Sequence, residues 1–257
     1  MATNDPFALD PVPRRVTHLI FLVDTSGSMS GAKISSLNTA VREALADVGE
    51  ISHNCSDSQI KVAALEFNSK VSWMYEQPIE AEKFQWQDLN AGGTTVLGSA
   101  FAELNAKLSK SKGFMGEQAG CRAPAILLLS DGVPTDEYKR NLEKLKANRW
   151  FSVGVKVAIA IGDDADKNVL QEFAGNSESV ITVHNVDQLK KMIHTVSVST
   201  SDVASQGASV GNEMLSPNEL AIKKISETVK NDESLSGVDM GSSETNKGSD
   251  SWSDGWN

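Results

Sequence analysis

Asp24, Ser26 and Ser28 are spaced by two in the stretch DTSGSMS, directly after an apolar run at residues 19–23. A strand ending in such a loop lets one carboxylate and two hydroxyls converge on a point, and Gly27 and Gly31 allow the tight bend. All three donors are hard oxygens, which suit Mg2+, Ca2+ or Mn2+ rather than zinc or copper. Two further loops match this one. Gly92-Gly93-Thr94-Thr95 lies just before a helical pattern and offers hydroxyls, and Ser130-Asp131-Gly132 ends a second fully apolar run at 125–129. An octahedral ion can take the Ser26 and Ser28 hydroxyls directly, with Thr94 or a water as another ligand. Asp24 and Asp131 complete the shell, directly or through water. Two carboxylates balance the ion's charge, so one position stays open to a carboxylate from a partner.

Each piece alone has a plainer reading. DTSGS serves as a Ser/Gly turn capping a helix, GGTT as a glycine turn with an N-cap, and SDG as an ordinary turn after a strand. Their order, and their places at strand ends and before a helix, point to one metal site.

These loops need a scaffold, and the periodicities supply one. Residues 19–23 read as a central strand covered on both faces. Ile34, Leu37, Val41, Ala44, Leu45 and Val48 form one helical stripe over 33–51. Strands follow at 60–67 and 71–75, the second as a hairpin partner of the first. Leu97, Phe101, Leu104 and Leu108 mark a helix, 125–129 a strand, and Tyr138, Leu142 and Leu145 another helix. A strand at 153–161, a helix at 167–173, a strand at 180–183 and a last helix through Val186, Leu189, Ile193 and Val196 complete the pattern. This alternation predicts an α/β fold with a mostly parallel sheet, one antiparallel edge strand and helices on both faces. Such sheets bind ligands beyond the carboxyl ends of their strands, where Asp24 and Asp131 are expected.

The chain has 257 residues, 40% of them apolar, and a formal charge of −10. That is core enough for a domain without staples, and an acidic balance that argues against a nucleic-acid footprint. Residues 1–15 read as a flexible arm, 16–200 as the domain, and 201–257 as an acidic, largely disordered tail with ten acidic and four basic side chains. Within the tail, Ser216-Pro217-Asn218-Glu219 predicts a capping box opening a short helix at 217–230. The N-terminal residues show no apolar signal core, and the longest apolar runs, of about five or six residues, are far short of a membrane span. Two cysteines, Cys55 and Cys121, form no disulfide framework, which fits a reducing, cytoplasmic setting. Trp73, Trp86 and Trp150 are expected to pack in the core or its rim. Trp252 and Trp256, in the acidic terminus, read as anchors for a partner groove or as a sticky end.

The three motifs together resemble the von Willebrand factor A (vWA) domain family. Its metal-ion-dependent adhesion site uses a DxSxS motif, a threonine and an aspartate from three loops. Asp24, Ser26 and Ser28 match the DxSxS motif, Thr94 the threonine in the GGT form of intracellular members, and Asp131 the aspartate. The resemblance covers residues 16–198 and implies a Rossmann-like vWA fold. It implies a bound Mg2+, with Mn2+ or Ca2+ as substitutes, and a protein ligand that completes the metal shell with a Glu or Asp. The stretches IFLVDTSGSMSGAKI, AGGTTVLGSAFAELNAKL, LLSDGVPTDEYKRNLEKLK and FSVGVKVAIAIGDDADKNVLQEFAG, with the helix VDQLKKMIHTVS, resemble bacterial tellurium-resistance TerY-type proteins. That likeness implies a stress-response system with an associated protein kinase and protein phosphatase. The acidic tail after Ser201 departs from the short version of that group.

Catalysis finds less support. A phosphatase-type aspartate nucleophile would want an acid two residues on, where Ser26 stands. Neither G-x-x-x-x-G-K-[ST] nor, after the first strand, G-x-G-x-x-G occurs. His18, His53, His184 and His194 are scattered, and none is placed to activate a serine. The expectation is a non-enzymatic, metal-dependent protein-binding module. A Mg2+-dependent phosphate-ester hydrolase and a purely structural ion are the alternatives.

Overall fold

The central strand is buried on both faces, and the rest of the fold follows from covering it. In β1 (Arg15–Asp24), Leu19, Phe21 and Val23 point into one core layer and Ile20 and Leu22 into the other. This computed structural model describes residues 14–56, 58–117, 119–131, 133–162, 165–206 and 215–241. β2 (Ser58–Phe67) runs parallel to β1, with Arg15 opposite Ser58. β3 (Val71–Trp73) and β4 (Ile79–Glu80) run antiparallel to β2. On the other side of β1 come β5 (Ala125–Ser130), β6 (Val155–Ile161) and β7 (Val180–Val183), all parallel, then β8 (Asp239–Met240), antiparallel to β7. The order is β3-β2-β1-β5-β6-β7-β8, with β4 also on β2. The α/β architecture is the one expected, but antiparallel pairs lie at both edges rather than one. β8 is two residues long, too short for any period to reveal.

The helices are α1 (Ala32–Asn54), α2 (Leu97–Lys107), α3 (Lys139–Lys146), α4 (Arg149–Val153), α5 (Lys167–Ala174), α6 (Val186–Gln206) and α7 (Pro217–Asn231). α1, α6 and α7 cover one face through Leu37, Val41, Val48, Ile193, Val196 and Ile225. α2 to α5 cover the other through Phe101, Leu104, Leu142, Phe151 and Phe173. Trp86 is buried in the first layer and donates to the Asn38 side chain at 3.0 Å, while Trp73 and Trp150 are half-buried against the second.

α6 passes through residue 200, where the domain was expected to end. Thr200 and Ser201 are fully buried, and the Thr17 hydroxyl donates to the Ala204 carbonyl at 3.4 Å. Beyond it, the Ser216–Glu219 capping box opens α7. The Asn218 side chain accepts the Lys156 N–H at its Oδ1 at 2.8 Å and donates from its Nδ2 to Ser179 Oγ at 3.1 Å. α7, the buried Leu235 and β8 therefore belong to the sandwich, although composition places them in the tail. Residues 1–13, Trp252 and Trp256 lie outside the described residues.

One feature of the order positions the site. The chain leaves β1 towards β2 on one side, and returns through β5 on the other. The loops after Asp24 and Ser130 therefore open side by side at the switch in strand order, where such sheets receive ligands.

Candidate functional site

Asp24 ends β1 with its side chain out of solvent. One carboxylate oxygen accepts the Ser26 N–H at 2.9 Å, and the other accepts the Ser130 hydroxyl at 2.7 Å. Burial pushes its carboxyl above the ordinary range, the Asp131 charge acts the same way, and the hydrogen bonds from Ser130 and Ser26 oppose both. A site of this kind favours the arrival of positive charge.

After Asp24 the chain makes a short 3-10 turn over Gly27–Met29. Met29 is fully buried in the core, so it pins this turn from beneath. Thus held, Ser26 and Ser28 place their hydroxyls 3.0 Å apart. The Ser28 hydroxyl also lies 2.7 Å from Asp131 Oδ1, to which it donates across 103 residues of sequence. Lys33, in the first turn of α1, sets its ammonium 2.6 Å from Asp131 Oδ2. Asp24, Ser26, Ser28 and Asp131 thus form one hydrogen-bonded cluster.

The third loop packs against the first. The Gly27 N–H donates to the Gly93 carbonyl at 3.0 Å, and the Gly92 N–H to the Thr25 carbonyl at 2.8 Å. Thr94 is exposed beside this contact, but its hydroxyl lies 3.2 Å from Ser69 Oγ, which also accepts the Thr94 N–H at 3.0 Å. The loop after β5 then clamps this segment. Thr135 and Thr95 exchange backbone and hydroxyl hydrogen bonds, with the Thr135 N–H donating to the Thr95 carbonyl at 2.8 Å. The Asp136 carboxylate accepts the N–H groups of Gly98 and Ser99 at the start of α2.

Sequence reasoning missed Ser130, Lys33, Ser69 and Asp136. Lys33 had one signal: a basic residue in the first turn of a helix opposes the helix dipole. Among the described residues no group of three or more His, Cys, Asp or Glu side chains is placed to hold a metal. The cluster instead offers two carboxylates and neutral hydroxyls, a donor set that fits a hard divalent ion and no soft one.

The family model for the von Willebrand factor type A domain matches residues 18–195. The chain belongs to the vWA domain family. As a vWA domain it is a protein-interaction module, built on a sheet with helices on both faces. It is 28% identical over 207 residues to inter-alpha-trypsin inhibitor heavy chain H2 of Mus musculus, a match that takes in 75% of this chain and 20% of that protein. The chain thus spans about a fifth of that relative's length. Among solved structures it is similar to proximal thread matrix protein 1 of the mussel byssus with a zinc-occupied MIDAS motif, at a TM-score of 0.54 and 15% identity, over 74% of this chain and 48% of that one. It is also similar to the pilus adhesin SpaC of Lactobacillus rhamnosus GG in its open conformation, at a TM-score of 0.57 and 15% identity, over 71% of this chain and 30% of that one. These two likenesses are of fold.

The vWA comparisons correct one expectation. The cytoplasmic expectation rests on Cys55 and Cys121, which form no disulfide among the described residues. The similar structures are a matrix protein of the mussel byssus and a pilus adhesin, so the cytoplasmic expectation does not stand. Among the described residues no helix is long and apolar enough to cross a membrane.

Proposed function

We propose that this vWA domain captures a partner protein through a divalent ion held by Asp24, Ser26, Ser28, Thr94 and Asp131, with the partner supplying a Glu or Asp. The observation that carries this reading is the hydrogen-bonded run from Ser26 through Ser28 to Asp131, next to Asp24, at the switch in strand order. Asp24 and Asp131 bring the negative charge, and the two serines bring neutral oxygens from a turn pinned by Met29. Thr94 adds a hydroxyl from the adjoining loop once it turns from Ser69. A bound Mg2+, or Mn2+ or Ca2+, would supply the positive centre for the visiting carboxylate. Ser28, Gly92, Gly93 and Thr94 are all exposed, so a partner's side chain has access.

The reading is non-enzymatic. The Ser26 and Ser28 hydroxyls are engaged with each other and with Asp131, and His18, the histidine of β1, is buried at the opposite end of that strand. The four stretches that resemble the tellurium-resistance group support a stress-response setting in which a protein kinase and a protein phosphatase are the associated proteins.

Calorimetric titration with Mn2+ and Mg2+ tests the metal. One site is expected in the wild type, lost in Asp131→Ala and Ser28→Ala while circular dichroism shows both variants folded. No heat from the wild type refutes the reading. Partner capture in Mg2+ that persists undiminished in EDTA refutes the role of the ion in binding.

A further inference from the structure

Lys33 is the second residue of α1, where a cation opposes the positive end of the helix dipole. A local rule broken next to a functional cluster asks for a compensating contact. Here the contact is Asp131. The Lys33 ammonium lies 2.6 Å from Asp131 Oδ2, with the aspartate side chain wholly buried and the lysine side chain 14% exposed. The other Asp131 oxygen accepts the Ser28 hydroxyl. Asp24, the second buried carboxylate of the cluster, is held by Ser130 and by the Ser26 N–H, which are neutral donors. Among the described residues, Lys33 is therefore the cation that the chain itself brings to this cluster, through Asp131. A buried carboxylate left without a counter-charge is strongly unfavourable, and Lys33 supplies one.

A divalent ion that draws on Asp131 would bring a second positive charge to the same carboxylate. Two cations within reach of one carboxylate repel each other, and the flexible one yields. Lysine is suited to yielding: its charge sits on a four-carbon stem with rotatable bonds. The way out is short, since Ser30, Gly31 and Ser35 around it are exposed.

Resting on the metal-dependent reading of the cluster, we propose that Lys33 is a built-in occupant of the cation position beside Asp131, displaced from that carboxylate when a divalent ion binds. The lysine supplies the counter-charge of Asp131 in the ion-free cluster and sets the threshold ion concentration at which the partner surface is armed. Removing its charge has two opposite consequences. The ion-free form loses its counter-charge, and the ion-bound form loses a competitor.

The test uses the full chain, with Lys33→Met, Lys33→Gln and Lys33→Arg beside the wild type. Mn2+ affinity is measured by calorimetry and melting is followed in EDTA and in saturating Mg2+. Lys33→Met is expected to bind Mn2+ about tenfold more tightly than the wild type. It melts lower in EDTA and at the wild-type temperature in saturating Mg2+, so its ion-induced shift in melting is larger. Lys33→Arg, which keeps the charge, binds no more tightly than the wild type. Should Lys33→Met fail to fold, Lys33→Gln carries the same affinity comparison with a polar side chain.

A wild type that binds while the neutral variants bind equally or more weakly overturns the proposal and leaves the metal reading intact. An unchanged melting temperature in EDTA overturns it as well. A wild type that does not bind, with a neutral variant that does, supports Lys33 as the excluding cation. If neither binds, the metal reading fails and the proposal with it.

Discussion

The Asp136 carboxylate accepts the Gly98 N–H at 2.8 Å, closing the first turn of α2 from a loop 38 residues away. The residue that precedes α2 is Val96, which has no side-chain group to cap a helix, so Asp136 does the work of an N-cap from outside. It takes the Ser99 N–H at 2.9 Å and the Ser99 hydroxyl at 3.1 Å as well. Because the same loop follows Asp131, the contact ties the Asp131 and Thr94 loops into one unit. Asp136→Ala is expected to cost about 1–2 kcal/mol, measured by urea denaturation. It should also weaken Mn2+ binding, because Thr94 lies just before the uncapped turn. Unchanged stability and affinity would show that the loops are held apart from this carboxylate.

The two glycines of the Thr94 loop differ, and they make a paired prediction. Gly93 has φ of +85°, where a side chain is strained, and a Cβ there would lie 2.4 Å from Ser69 Oγ. Ser69 must then move, and with it the bond to the Thr94 N–H. A Cβ on Gly92 meets nothing within 4 Å. Gly93→Ala should cost about 1–2 kcal/mol from backbone strain and weaken ion binding. Gly92→Ala should stay within about 0.5 kcal/mol of the wild type. Equal losses at the two positions would contradict the geometry.

Much of this site was legible in the chain because its parts are local. Asp24, Ser26 and Ser28 lie within one turn, and the strands that carry Asp24 and Asp131 are unbroken apolar runs. What was not legible depends on the pairing of distant segments. Lys33 reads as a surface residue until the fold brings Asp131 to it, and Asp136 reads as a loop aspartate until α2 is seen to lack a cap of its own. The tail shows the same limit. The Ser216 capping box is written in four residues, whereas the docking of α7 rests on Asn218 meeting Lys156 and Ser179 from other elements. The acidic composition of residues 201–257 as a whole says nothing of α7, which carries Lys223, Lys224 and Lys230 and buries Ala221 and Ile225.

His18 predicts a pH dependence. The ring is fully buried, and neither nitrogen has a hydrogen-bond partner among the described residues. Burial lowers its pKa from the ordinary 6.5 to about 4, with Glu117 opposing the shift and Lys61 adding to it. The folded state therefore keeps His18 neutral where the unfolded chain takes up a proton. Stability should be fully present above pH about 6.5 and fall with acidification down to about 4, by on the order of 3 kcal/mol for this residue. His18→Leu removes the linkage. Its urea midpoint should fall less than that of the wild type between pH 7 and pH 5. Parallel losses in the two proteins would assign the acid sensitivity to other groups.

Ile225 is fully buried in the core layer that also holds Val196 of α6 and Trp86. If α7 unfolds together with the sheet, Ile225→Ala creates a cavity in the domain's own core and should cost about 2–5 kcal/mol. The loss should register in the same cooperative transition that tryptophan fluorescence follows, since Trp86 shares that layer. Ser216→Ala, which removes half of the capping box at the start of α7, should cost about 1 kcal/mol. A helix that merely rests on the surface behaves differently: Ile225→Ala would leave the main transition in place, and amide exchange in α7 would be fast in wild type and variant alike.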